Sequence, residues 1–566
     1  MRRSISIRMA VAAALACTVA LTVATALPSA QQAAPDLILS NGKIITVDDT
    51  FSIAQAVAVR GDRIVAVGSN QDINRMAGPN TRRIDLRGRS VIPGFIDNHA
   101  HFQEEGEYWT LETRLDGIES RKQALDMIRA VAKQRGPGEW IYTLGGFSPD
   151  QFADDRKQFT RAELDQVAPN NPLLLQFTRV ETYLNSKAIE AIGLEKRTDP
   201  WIKRDASGRA TGIVEDAGAG VVRNAAGFLN RIPKEIFETS QMTMLKDFQK
   251  AGLTSSGGSC DFPKEYRAWQ QQGRLSMRFF CLHSPTVPGG TQGLQGAALV
   301  DKLLPEIPKA KYFDGDEWMS NANWGERLYN IVDNVGDTKQ ISPDEAYVQW
   351  GRVARAAAQA NIPIIIHSTM PWNIEGQLRQ VEALAKEMPI RHLRWAFMHM
   401  EGVTPDQVDR MKKLNMFIAV NPRGVISGES FKRIHGEKAW TFPPLKYIQD
   451  SGIMWGIGTD AFEVNQYRPF TTIQWMVTGQ MVGGLKVLRT PVTREQALIA
   501  HTRSNAYLFF RENDLGSIQA GRFADIVVTD KDYLTVPADQ IKNLRSVMTI
   551  VGGKIFLDEI TAPSTR

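Results

Sequence analysis

His99 and His101, one residue apart, close the stretch VIPGFIDNHAH. In an extended strand residues i and i+2 share a face, so this spacing projects both imidazoles the same way. Neutral imidazole is the commonest protein ligand for zinc-like ions, and two side by side can hold one divalent metal. A bare HxH equally describes two histidines at a loop mouth that bind nothing, so the reading turns on partners downstream. These stand at the ends of later apolar runs: His367 in IPIIIHS, His399 in LRWAFMHME and Asp460 in IMWGIGTD. One strand ending in histidine is ordinary. Several in succession make a cluster of ligands suited to Zn²⁺ or a similar borderline ion, open to water on one side.

Strand ends gather at one mouth if the strands run parallel around a barrel. The chain supplies eight candidates: the VIPGFIDNHAH run, LTSSGGS from Leu253, LSMRFFCLH ending at His283, a less regular run between Lys309 and Glu326, then the strands ending at His367, His399, Asn421 and Asp460. Helical stretches separate them, which predicts an α/β fold with a (β/α)8 TIM barrel. A second, β-rich text occupies both ends. DLILSNGKIITVD, AVAVRGDRIVAVG and TRRIDLRGRS lie before the barrel, and GRFADIVVTD and SVMTIVGGKIF after it. Turn signals such as Asn41-Gly42 and Gly61-Asp62 punctuate the first set, and the two ends together predict one composite β-sandwich. The expected division is 1–30 signal peptide, 31–90 sandwich, 91–510 barrel with a large insertion at about 102–250, and 511–566 sandwich. An insertion after the first barrel strand belongs to the face where pockets form, so it should help decide what binds.

The leader reading rests on MRRSISIR, an Ala-, Val- and Leu-rich run to Leu27, and the small-residue site Pro28-Ser29-Ala30. It predicts an exported protein, periplasmic or secreted, with no stable membrane insertion after cleavage. A lipoprotein at Cys17 and an uncleaved anchor are the alternatives. The 566 residues carry a formal charge of +5, to which the leader contributes Arg2, Arg3 and Arg8. The remainder is near balance, and nothing argues for a nucleic-acid partner. Beyond the leader only Cys260 and Cys281 remain, too few for a disulfide framework though enough for one bridge. A homo-oligomer is left open.

These motifs resemble the amidohydrolase superfamily, and in particular amidohydrolase family 3 of the N-substituted formamide deformylase type. The carriers are PGFIDNHAH, LNSKAIEAIGL, IIIHS, MHMEGVTPDQVDRMKKLNMFIAVNP, GIGTDAF, GSIQAGRFADIVVTD and TIVGGKIF, spread from about Asp36 to Phe556. The resemblance implies that His99 and His101 bind the more buried metal and that His367 and His399 bind the second. It also implies that Asp460 touches metal and is the catalytic acid/base. The expected cofactor is one or two divalent ions, Zn²⁺ foremost. The expected reaction is attack of metal-activated hydroxide on the carbonyl carbon of a small molecule, cleaving a non-peptide C–N bond. Esters, carbamates, cyclic amides and deamination substrates share that chemistry, and a non-catalytic metal-binding protein is the reading from another class.

Two departures matter. Many relatives bridge two metals with a carboxylated lysine four residues before the Asp of K-x-x-x-D-G; here Ala310 holds that place before Asp314, and Lys311 is one residue out of register. Trp324-Gly325-Glu326 resembles the G-x-G-E of exported relatives, so Glu326 is the expected bridging ligand and Lys311 the alternative. Glu181 stands four residues before Asn185 where relatives often carry a histidine. Of the other histidines, His283 is a candidate for the pocket wall, while His392, His435 and His501 read as structural or exposed. Trp318, Trp324, Trp372 and Trp440 are candidates for an apolar pocket wall or for core packing.

Overall fold

The run VIPGFI is apolar at every position, as a strand covered on both faces must be, yet it serves two sheets. In the computed structural model, which describes residues 33–562 except 179, 228–231, 334–341 and 463, the run divides at Gly94. Ser90–Pro93 joins a sandwich sheet, and Phe95–Asp97 opens the barrel as β1. A Cβ at Gly94 would fall 2.1 Å from Thr254 Oγ1, so only glycine lets the chain cross there. The leader expectation for 1–30 lies outside the described residues.

The remaining barrel strands are β2 (Leu253–Gly258), β3 (Arg278–Leu282), β4 (Met319–Glu326), β5 (Ile364–Ser368), β6 (Ala396–His399), β7 (Phe417–Val420) and β8 (Met454–Ile457). They pair in parallel in chain order, giving the eight-stranded TIM barrel expected from the alternating pattern. Alternate residues fill the lumen, among them Ile96, Phe280, Ala322, Ile365, Met398 and Ala419, with Phe509 and Phe523 entering from the C-terminal segment. Among the described residues no ladder joins β8 to β1; side chains bridge that seam. Asn505 Nδ2 donates to Ile96 O and Ile457 O, and Asp97 accepts from Thr459 N and Thr459 Oγ1.

Both ends of the chain build the sandwich. A six-stranded sheet places Lys43–Ile45, Ile53–Ala54 and Ser90–Pro93 beside Ile526–Thr529, Ser546–Val551 and Lys554–Asp558. A four-stranded sheet from Leu37 to Asp85 packs on it through Leu39, Val57, Ile84, Val91, Ile526 and Met548. Buried Arg278 on β3 clasps buried Asp525 by two hydrogen bonds of 2.7 and 3.0 Å, fastening sandwich to barrel.

After β1 the chain forms a separate five-stranded sheet within Ile141–Glu215. It docks on the helix Gly424–His435, which follows β7, where Asp150 Oδ2 accepts a 2.6 Å bond from Ser430 N. Cys260 and Cys281 are bridged, Cα–Cα 5.4 Å, tying the segment after β2 to β3. Among the described residues no helix is long and apolar enough to cross a membrane.

Candidate metal centre

β1 ends at Asp97, two residues before the first histidine, so the shared-face argument for His99 and His101 does not describe what pairs them. Hydrogen bonds beyond the strand do. Asp97 Oδ1 accepts from His99 N at 3.1 Å, Ala100 N donates to Gly257 O, and His101 N donates to Ala461 O at 2.7 Å. The segment therefore turns across the barrel mouth from β2 towards the loop after β8, and His101 sits at the head of the helix Phe102–Gly106. The two rings end 5.0 Å apart, edge to face.

Two carboxylates organise the four imidazoles. Asp460 Oδ1 lies 3.3 Å from His99 Nε2 and 3.4 Å from His101 Nε2, and Asp460 Oδ2 lies 3.6 Å from His399 Nδ1. Glu326 Oε1 lies 3.5 Å from His399 Nε2 and 3.9 Å from His367 Nε2. Metal–ligand bonds of about 2.0–2.1 Å in a tetrahedron set ligand atoms about 3.3–3.5 Å apart, close to most of these separations. His99 Nδ1 and Nε2, His367 Nδ1 and His399 Nε2 are buried without a hydrogen-bond partner, an expensive state for a nitrogen with no ligand to bind. The donor set, imidazole with carboxylate, suits a borderline divalent ion. His99 with His101 and Asp460, and His99 with Glu326 and His399, are two groups whose ligand atoms all lie within 4.8 Å of one another. His99, His399 and Asp460 are buried; His101, at 30% exposure, is the most open of the six.

Charge within the cluster is complementary. Burial pushes the Asp460 carboxyl up, but His101 and His99 outweigh it and hold the group well below the usual carboxylate range. Glu326 behaves alike, burial being overcome by His399, His99 and His367. Burial would lower His101, yet Asp460 with Glu326 carries it up to about 10. His399 is raised too, Glu326 and Asp460 prevailing over burial, whereas burial and neighbouring His399 hold His367 well below its ordinary value. Both carboxylates are thus anions, and a bound cation would take the place of the protons that His101 and His399 hold. The backbone is unusual at two of these positions: His399 has φ of 71° and Asp460 of 56°, left-handed values uncommon for residues with a Cβ. Such conformations persist where surrounding bonds over-determine them. Here Asn421 Oδ1 accepts from His399 N at 3.2 Å, and Asp460 N donates to His99 O at 2.9 Å.

The structure thus brings together all six residues singled out in the sequence: His99, His101, Glu326, His367, His399 and Asp460. Lys311 is exposed in the segment ahead of β4 and takes no part in the cluster. His283 lines a different cavity of about 510 Å³ with Cys260, Asp261 and Asp314, which none of the six ligand residues lines. Trp324 is core and Trp318 lies 4.7 Å from the Arg278 guanidinium, while Trp372 and Trp440 pack half-buried against Met370, Phe431 and Phe442. Glu181 is buried in the insertion sheet and accepts from Gln158, Tyr183 and Lys203.

Sequence reasoning missed the amides behind the ligands. Asn505, Asn98 and Asn421 form a chain, Asn98 Nδ2 donating to Asn505 Oδ1 and Asn421 Nδ2 to Asn98 Oδ1, each at 3.2 Å. It missed buried Asp97 as well, whose carboxyl burial raises to about 7. Asp97 and Asn98 sat between the apolar run and the HxH, where a polar pair at a strand end was a usable signal; Asn505 had none.

A parallel barrel with histidines and carboxylates gathered at its mouth is suited to metal-dependent hydrolysis, and the chain belongs to the amidohydrolase family, metal-dependent hydrolases of carbon–nitrogen bonds, whose sequence profile matches residues 82–556. It is 27% identical over 542 residues to the N-substituted formamide deformylase of Arthrobacter pascens, covering 92% of this chain and 97% of that protein. Its fold is similar to that of an uncharacterized metal-dependent hydrolase from Pyrococcus furiosus, with TM-score 0.59, 20% identity and coverage of 88% and 100%. It is also similar to a zinc-bound adenosine deaminase from Xanthomonas campestris, with TM-score 0.51, 14% identity and coverage of 94% and 95%.

Proposed function

We propose that this protein is an exported amidohydrolase that cleaves the C–N bond of a small non-peptide amide, with zinc as its ion. The carrying observation is the pair of carboxylates at the barrel mouth, Asp460 facing three imidazoles and Glu326 two. One or two divalent ions held by these ligands would supply Lewis acidity and lower the pKa of water to about 7.

The chain's own groups do the rest. Asp460, anionic and anchored between His99 and His101, is placed to accept a proton from the attacking water at a carboxylate oxygen. It then returns that proton to the leaving nitrogen, so the amide leaves as an amine and a carboxylic acid. Glu326 stands within reach of His399, His367 and His99, and its negative charge would offset that of the cations.

The relative that acts on N-substituted formamides makes N-formyl compounds the first class to try. Screening metal-loaded protein against N-formyl, N-acyl, carbamate, lactone and ester panels should give turnover on an amide class that chelation abolishes and Zn²⁺ restores. Turnover confined to esters and lactones, or none at all, overturns this reading. The basic and apolar leader and the Cys260–Cys281 bridge support export, since disulfides persist in oxidising compartments. N-terminal sequencing of protein recovered from the periplasm or medium should begin near residue 31.

A further inference from the structure

Glu326 and His367 end neighbouring strands, and at 3.9 Å between Glu326 Oε1 and His367 Nε2 no hydrogen bond joins the two. Something else must set their spacing. Asp333, fully buried, closes the short helix Asn330–Asp333 just after β4. Its Oδ2 accepts from Leu328 N and Tyr329 N, both at 2.7 Å, within three residues of Glu326. Its Oδ1 accepts from Trp350 Nε1 and Gln377 Nε2, also at 2.7 Å. The same Gln377 amide donates to His367 O at 3.0 Å, and Gln377 Oε1 accepts from Ser368 Oγ at 2.6 Å.

One turn earlier on the same helix, Pro371–Glu387, a second amide repeats the bridge. Asn373 Nδ2 donates to Val332 O at 2.8 Å, and Asn373 Oδ1 accepts from Thr369 N at 3.1 Å. Asn373 and Gln377 are four residues apart, hence on one helix face, and both are fully buried among Ile374, Leu378 and Val381. A helix face turned to the core normally carries apolar residues. Two buried amides there are costly unless every donor and acceptor is used, and each joins the segment after Glu326 to the segment around His367.

We propose that Asp333, Gln377 and Asn373 form a positioning clamp that holds Glu326 and His367 at the separation needed to share a metal ion. They touch neither metal nor substrate and act through the backbone on either side of the two ligands. The inference rests on the metal-ligand roles given above to Glu326 and His367, and not on the substrate. Removing such supports typically weakens metal binding about 10- to 100-fold.

The test is a chelator-competition titration of zinc on purified Gln377→Met, Asp333→Asn and Asn373→Leu proteins, with circular dichroism and a melting curve for each. Gln377→Met is the mildest, because Asp333 keeps its other three donors. The ion lost to His367→Asn in a reference variant should bind about 10- to 100-fold more weakly in folded Gln377→Met protein. The ion lost to His101→Asn should keep its wild-type affinity. Folded Gln377→Met protein with wild-type affinity at both positions overturns the proposal, as does equal weakening of both. So does Glu326→Gln protein that binds zinc like the wild type. If Asp333→Asn fails to fold, Gln377→Met and Asn373→Leu still decide. Selective weakening in a protein that hydrolyses no amide would sustain the clamp and sink the proposed function.

Discussion

Asp460 is proposed for two duties that a single substitution can separate. As a ligand it needs only an oxygen near His99 and His101; as the proton carrier it needs a carboxylate. Asp460→Asn keeps the oxygen and loses the base. Metal content by elemental analysis should therefore stay near wild type while kcat falls about 10²–10⁴-fold. Loss of metal in step with loss of rate would reduce Asp460 to a ligand. Glu326 differs, because bridging is its whole proposed part, and Glu326→Gln should lose metal and activity together. The left-handed backbone at His399 and Asp460 shows what the centre costs the fold. Those values are tolerated because Asn421 and the backbone of His99 bond the adjoining amides.

Between residue and molecule, the seam from β8 to β1 shows how local chemistry replaces a ladder. His501 sits behind it, its carbonyl accepting from Ile96 N at 2.8 Å and its ring 5.7 Å from Phe95. Both ring nitrogens are buried without partners, and burial pushes the imidazole down from the ordinary 6.5 to about 3. Between those values the unfolded chain binds a proton that the folded one refuses, so stability rises with pH there. The stabilisation is complete above about pH 6.5 and drains as pH falls towards 3. Urea denaturation of wild type and His501→Leu across pH 7.5 to 4.5 should diverge below 6.5 by about 1.4 kcal/mol per pH unit. Parallel profiles would mean that the site does not exclude the proton.

At the scale of the whole molecule, Arg278 and Asp525 decide whether barrel and sandwich hold as one body. Both are nearly inaccessible, at 1% and 4% exposure, and Asp525 also accepts from Gly552 N. Asp525→Ala would strand a buried guanidinium and should cost about 3–5 kcal/mol in urea denaturation. The double variant Arg278→Met/Asp525→Leu should regain most of that, because it leaves no unpaired charge. A double variant as unstable as the single one would locate the cost in packing against Trp318 and Phe523 instead. By the same logic the Cys260–Cys281 bridge, spanning 21 residues, contributes about 3 kcal/mol through the unfolded chain.

The sequence by itself determined the barrel, the composite sandwich and the six residues that meet at the barrel mouth. Parallel strands buried on both faces must be apolar throughout, so their polar ends stand out as His367, His399 and Asp460. It also favoured Glu326 over Lys311, through a local departure in spacing that needs no tertiary information. Tertiary structure alone decided how the ligands are held. VIPGFI reads equally as one strand or two, and its division at Gly94 depends on Thr254, more than 150 residues away. The pairing of His99 with His101 follows from bonds to Asp97, Gly257 and Ala461 rather than from strand pleat. Asn505, Gln377 and Asp333 left no pattern to read, because one buried polar residue differs from an exposed one only in what folds over it. Ligands are legible because chemistry restricts their type and spacing; their supports are not, since any residue that reaches the right backbone atom will serve.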